Sequence, residues 1–148
     1  RSLRFLKVFE IVDQEIFMLK TGCILNARTA SDGLRISVMS RHTLSDGRAP
    51  DIRIPLSDLD DHWPLLGPSP RLIGDYYKRQ LPWSDFEKRY LLQLQRAESQ
   101  ELLVKVISLA SESTIMLLCI EEEPTCCHRR LLAQMCQKID PSLEIAIG

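Results

Sequence analysis

Thr114-Ile115-Met116-Leu117-Leu118-Cys119 is an unbroken apolar run; after a short polar segment come Cys127-His128-Arg129-Arg130-Leu131-Leu132-Ala133-Gln134-Met135-Cys136-Gln137-Lys138-Ile139 and, at the end, Leu143-Glu144-Ile145-Ala146-Ile147. The first run has strand length and lies between helical patterns, which suits a strand buried on both faces. The second predicts a helix from Cys127 to Ile139, with Leu131, Leu132, Met135, Cys136 and Ile139 inward. The third reads as a closing strand. A β–α–β order implies parallel strands joined by a right-handed crossover. The expected fold is therefore α/β: one domain over residues 1–148, with a mostly parallel sheet flanked by helices.

Upstream, the same logic predicts a helix before the buried strand, about Ser99 to Glu112, burying Leu103, Val106, Ile107 and Ala110. Ser84-Asp85-Phe86-Glu87 reads as a capping box opening another. Ser69 is placed to cap a helix carrying Pro70 in its first turn and an apolar stripe of Leu72, Ile73, Tyr76 and Tyr77. Residues 48–70 hold five of the eight prolines and read as a long irregular connection with a short helix from Ser57 to Trp63. Leu34 to Met39 alternates as a strand should, with Leu34, Ile36 and Val38 on one face and Arg35, Ser37 and Met39 on the other. Leu3 to Val12 also reads as a strand. Glu15–Leu19 and Cys23–Ala27 suggest hairpin strands around a Thr21-Gly22 turn, with a helix through Asp13 to Lys20 as the alternative.

Composition sets outer limits. The 148 residues are 45% hydrophobic and 26% charged, an ordinary globular balance. A net charge of −1, from 19 basic and 20 acidic residues, gives no general attraction to nucleic acid or anionic membrane. No apolar run approaches the roughly 20 residues of a spanning helix, and no secretory leader is expected. Five cysteines, an odd number with two adjacent, do not read as a disulfide framework. Reduced thiols and a cytoplasmic location are the expectation.

In open parallel sheets, ligands collect beyond the carboxyl ends of strands, where the following helices aim their N-termini. Here that place holds Cys119-Ile120-Glu121-Glu122-Glu123-Pro124-Thr125-Cys126-Cys127-His128-Arg129-Arg130. Thr125 or its neighbour is expected to cap the helix, which puts Cys126 to Arg129 in the first turn.

The pattern Cys119-x-Glu121-x-x-Pro124-x-x-Cys127-His128-Arg129 resembles the signature of the domain-of-unknown-function family 488 (DUF488). So do Ser40-Arg41-His42-Thr43-Leu44-Ser45-Asp46-Gly47 and Gly74-Asp75-Tyr76-Tyr77 through Trp83-Ser84-Asp85-Phe86-Glu87-Lys88-Arg89-Tyr90. Three motifs in one order, spanning residues 33–135, make the resemblance specific. It implies a small α/β domain with the Cys-His-Arg motif at a strand-to-helix junction, and no settled activity.

Four readings of the motif stand open. In the first, Cys127 is a nucleophile or redox thiol, lowered in pKa by the helix terminus and Arg129, with His128 or His42 carrying the proton. In the second, Cys119, Cys127 and His128 hold zinc or iron, with Glu121 or His42 as a further ligand; the wide Cys119–Cys127 spacing and the adjacent pair Cys127-His128 weigh against it, and the expectation is no metal. In the third, Arg129, Arg130, Arg41 and the helix N-terminus cradle an anion, with Glu121 as base. In the fourth, Cys119 is a buried hydrophobe, His128 satisfies a loop carbonyl, and Arg129 pairs with Glu121, Glu122 or Glu123.

The favoured expectation is an enzyme-like or ligand-binding domain for a small anionic, phosphate- or nucleotide-like ligand. Cys127, His128 and Glu121 are its candidate catalytic residues. Arg41, His42, Arg129 and Cys119 are its candidate ligand contacts; no cofactor is assigned. The alternative is a noncatalytic interaction module in which the motif locks the junction. Cys23 and Cys136 read as core, and His62-Trp63 as a loop anchor.

Overall fold

The structure is a computed structural model and describes residues 16–148. The strand expected at Leu3–Val12 lies outside the described residues. Five strands, β1 (Leu19–Cys23), β2 (Leu34–Ser37), β3 (Asp61–His62), β4 (Ile115–Cys119) and β5 (Ile145–Ala146), form one sheet in the order β3-β2-β4-β1-β5. Every neighbouring pair is parallel. Four α-helices accompany them: α1 (Pro70–Tyr77), α2 (Trp83–Leu94), α3 (Ala97–Glu112) and α4 (His128–Ile139).

The expected β–α–β unit is β4-α4-β5, and its two strands are not neighbours because β1 lies between them. The continuous apolar run of β4 is explained by its central position. Ile115 and Leu117 join residues of all four helices in the main core, while Leu118 packs on the other side with Ile24 and Ile54. Both faces of the strand are dry, so neither needs polar residues.

Local signals explain most helix starts. The Ser69 hydroxyl accepts the Leu72 amide at 3.2 Å, capping α1 as expected. The Ser84 capping box does not form. Helix α2 starts a residue earlier, at Trp83, with Pro82 at the cap position and no side-chain cap bond; the fixed φ of proline already sets the entry. The hairpin expected around Thr21-Gly22 is also absent, because those residues lie inside β1. A Cβ at Gly22 would sit 2.9 Å from the Met116 sulfur, so this glycine marks a close approach within the sheet, not a turn. In place of a helix from Ser57 to Trp63 there are two single 3₁₀ turns, Leu56–Asp58 and Pro64–Leu66, around the short edge strand β3.

Alternation along β2 gives no sign of how buried Arg35 is. It is 1% exposed, and its guanidinium meets the Asp32 carboxylate at 2.8 Å and the main-chain oxygens of Asp58 and Asn26 at 3.0 and 2.9 Å. One buried arginine thus ties the loop after β1 to the turn before β3. No described helix is long and apolar enough to cross a membrane.

Candidate active site

The parallel pairing of β2 with β4 sets Ser37 beside Leu118, so the chain leaves both strands at the same edge. Beyond that edge opens a cleft of about 810 Å³. Its lining includes Cys119, Glu121, Cys126, Cys127 and His128 from the β4–α4 junction, and Ser40, Arg41 and Thr43 from the segment after β2. Tyr76, Tyr77, Trp83 and Phe86 supply aromatic surface from α1 and α2.

Helix α4 opens at His128 with Cys127 at its cap position and no side-chain cap bond. Thr125 is therefore not the cap; its carbonyl instead accepts from the Arg130 guanidinium. Cys126 stays outside the helix and is exposed. His128 is buried, and its Nε2 lies 2.7 Å from the Val38 carbonyl. A carbonyl only accepts, so Nε2 carries the hydrogen. The other nitrogen, Nδ1, then faces the Cys119 sulfur at 3.5 Å.

The Cys119 and Cys127 thiols lie side by side, close enough to hydrogen-bond. That hydrogen bond holds Cys119 below the ordinary cysteine range in spite of its burial, with the Arg129 charge helping. The same bond, and then burial, push Cys127 well above that range. The expectation that the helix terminus and Arg129 lower Cys127 is not met: the sulfur held low is Cys119 at the strand end, and Cys127 at the helix start is pushed up. Arg129 does donate to the Cys127 sulfur, at 3.3 Å. One ligand atom each from Cys119, Cys127 and His128 lies within 4.8 Å of the others, close enough for a single soft metal ion.

A family model described as the active DUF488-N3 subclade (DUF488-N3a) matches residues 19–140. The chain belongs to this family. No curated protein matches the chain, and no solved structure does. The DUF488 match runs from the first residue of β1 to the residue after α4, and so spans every element whose residues line the cleft.

The remaining expected site residues of this DUF488 domain fall in different places. Arg41 lines the cleft. His42 does not; its ring bonds Ser37 Oγ at 2.7 Å and packs, tilted, against the His62 ring with centroids 4.1 Å apart. Arg129 lies behind the cleft and is fully buried. Its guanidinium donates to the main-chain oxygens of Glu121, Glu122 and Gly148 at 2.6, 3.3 and 3.0 Å as well as to Cys127. Four of its five donors are engaged, and none of these bonds goes to a glutamate carboxylate. Glu121 stands at the mouth, where the Tyr77 hydroxyl donates to its carboxylate.

The sequence reading placed Tyr76 mainly in the core and Phe86 on the buried face of its helix, and gave Trp83 no role; the packed rings of all three also line the cleft. The Ser40 and Thr43 hydroxyls went unremarked, although both lie in a segment quoted for its resemblance to DUF488.

Proposed function

We propose that this DUF488 domain is an enzyme whose reactive centre is the Cys119–Cys127–His128 cluster, acting on a small anionic, phosphate- or nucleotide-like substrate. The observation that carries it is the position of that cluster: two buried sulfurs and an oriented imidazole at an open cleft of about 810 Å³. A nucleophile, a base and a third group that orients the base form the arrangement by which thiols are activated; here the third group is the Val38 carbonyl. In this reading Cys119 is the sulfur that attacks, Cys127 holds the shared proton, and His128 Nδ1 takes and returns it. Glu121, with Tyr77, is the acid–base group at the mouth. Arg41 meets the ligand's negative charge, whereas Arg129 positions the 120–127 segment from behind. The description of the matched subclade as active supports catalysis here over a purely structural motif. Five free thiols support a reducing compartment, the cytoplasm.

The test is alkylation in a Cys126→Ser background, which removes the exposed thiol. Iodoacetamide at neutral pH should label one cluster thiol quickly, and Cys119→Ser should abolish that labelling. Thiols that react only as fast as an unperturbed cysteine of pKa about 8.5 would rule the reading out.

A second reading rests on the spacing of the same three ligand atoms. With Nε2 held by a backbone carbonyl, His128 has the orientation of a metal-binding imidazole. Elemental analysis separates the two, since stoichiometric zinc or iron in purified protein would favour a metal centre.

A further inference from the structure

We propose that Ser40, Arg41 and Thr43 form an anion-binding arm of the cleft, built for a phosphate group of the substrate. The inference rests on the reading of the cleft as a substrate site and names the group held there.

The first observation is a pair of orphaned donors. The Ser40 and Thr43 hydroxyl oxygens are buried atoms that have no hydrogen-bond partner among the described residues, although both residues line the cleft. A buried hydroxyl left unpaired is costly, so two of them in the wall of one cavity point to a partner supplied from outside the chain.

The second observation is the charge of Arg41, which stands between them in sequence. Arg41 has no ion pair among the described residues, and its guanidinium lies so close to Gly47 that a Cβ there would come within 2.6 Å of Nη1. The other charges of the lining are mostly committed. Arg53 forks onto Asp51 at 2.9 and 2.7 Å, Arg79 pairs with Asp75 at 2.6 Å, and Glu121 takes the Tyr77 hydroxyl. Asp46, a carboxylate of the lining that feels the Arg41 charge, accepts the amides of Arg48 and Ala49 at 2.9 and 3.0 Å. A cation on the same short segment as two unpaired hydroxyls suits an oxyanion and repels a metal ion.

The third observation is rigidity. Gly67 backs the arm so closely that a Cβ would lie 2.4 Å from the Ser40 amide nitrogen. Two residues before Ser40, the Val38 carbonyl holds His128. A phosphate on the arm is thus held by the same backbone that orients the imidazole.

The experiment is calorimetric titration of wild type, Ser40→Ala, Thr43→Val, the double variant and Arg41→Gln with inorganic pyrophosphate, ADP and adenosine. Wild type should bind pyrophosphate or ADP. Each hydroxyl deletion should weaken that binding by about tenfold, as expected for a bond to a charged acceptor. Thermal melting of the hydroxyl variants should stay at or above wild type, because they lose only unpaired groups; a purely structural role predicts lower melting instead. Binding of pyrophosphate alone marks a free anion as sufficient, and preference for ADP marks a nucleotide; either supports the arm. Unchanged affinity in the double variant, or binding of adenosine alone, overturns it. If the arm fails but ADP still shields Cys119 from iodoacetamide, the reading of the cleft survives; if nothing binds and nothing shields, both fall.

Discussion

Two buried arginines set the scale on which single residues matter in this domain. Arg35 is paired with Asp32 in the interior, whereas Arg28 pairs with Asp60 at 3.0 Å with both side chains more than a third exposed. Removing one partner of a buried pair strands the other and costs about 3–5 kcal/mol. An exposed pair contributes about 0–1 kcal/mol. Urea denaturation should therefore show Arg35→Met far less stable than Arg28→Met; equal midpoints would mean that Asp32 is satisfied by Thr29 alone. Arg129 poses the same question next to the cleft. Arg129→Met leaves the oxygens of Glu121 and Glu122 without their donor, and each such group costs about 1–3 kcal/mol. Arg129→Lys keeps the charge but loses the planar fork. It should fold better than Arg129→Met while its cluster thiols react more slowly than wild type, read by melting and by iodoacetamide labelling.

At the scale of elements, two glycines give opposite expectations. The Cβ added by Gly67→Ala would press on the backbone of Ser40, which cannot move without shifting the segment after β2. It should cost about 1–3 kcal/mol and weaken ligand binding at the cleft. The Cβ added by Gly22→Ala would press only on the flexible end of Met116, so its cost should be under about 1 kcal/mol. Paired urea melts check both. The same glycines show which elements were legible in the sequence. β4 and α4 could be read because a continuous apolar run and a one-sided stripe are local patterns with one good solution each. Gly22 misled because a glycine in a turn and one under a crossing side chain look alike until the neighbouring strand is known. The convergence of Arg41 with Cys119 could be read, since parallel strands bring their carboxyl ends together. The direction of His42 could not, because it depends on the Ser37 hydroxyl and the His62 ring. Nor could the engagement of Arg129, whose partners are main-chain oxygens that no residue pattern marks.

For the whole molecule, the packed pair His42–His62 gives stability a pH dependence whose sign follows from structure. Burial, and then the charge of His62, hold His42 below its ordinary value of 6.5. The unfolded chain therefore takes up this proton before the folded one does. The His42 contribution is complete above about pH 6.5 and is lost as the pH falls below it. Melting temperatures measured from pH 8 to pH 5 should drop over the lower part of that range, and His42→Gln should flatten the drop; an unchanged profile would place the titration elsewhere. The bond between His128 and the Val38 carbonyl also has a consequence in time. It joins residues 90 positions apart, across a strand order in which β4 enters between β1 and β2. Such a pairing closes late, after the costly loop between its ends has been drawn in. During synthesis, Cys119 leaves the ribosome before the imidazole that partners it, so the newborn chain carries an ordinary thiol. On the proposed reading, reactivity is acquired only when the central strand docks, and iodoacetamide labelling of the cluster becomes a clock for the completion of folding.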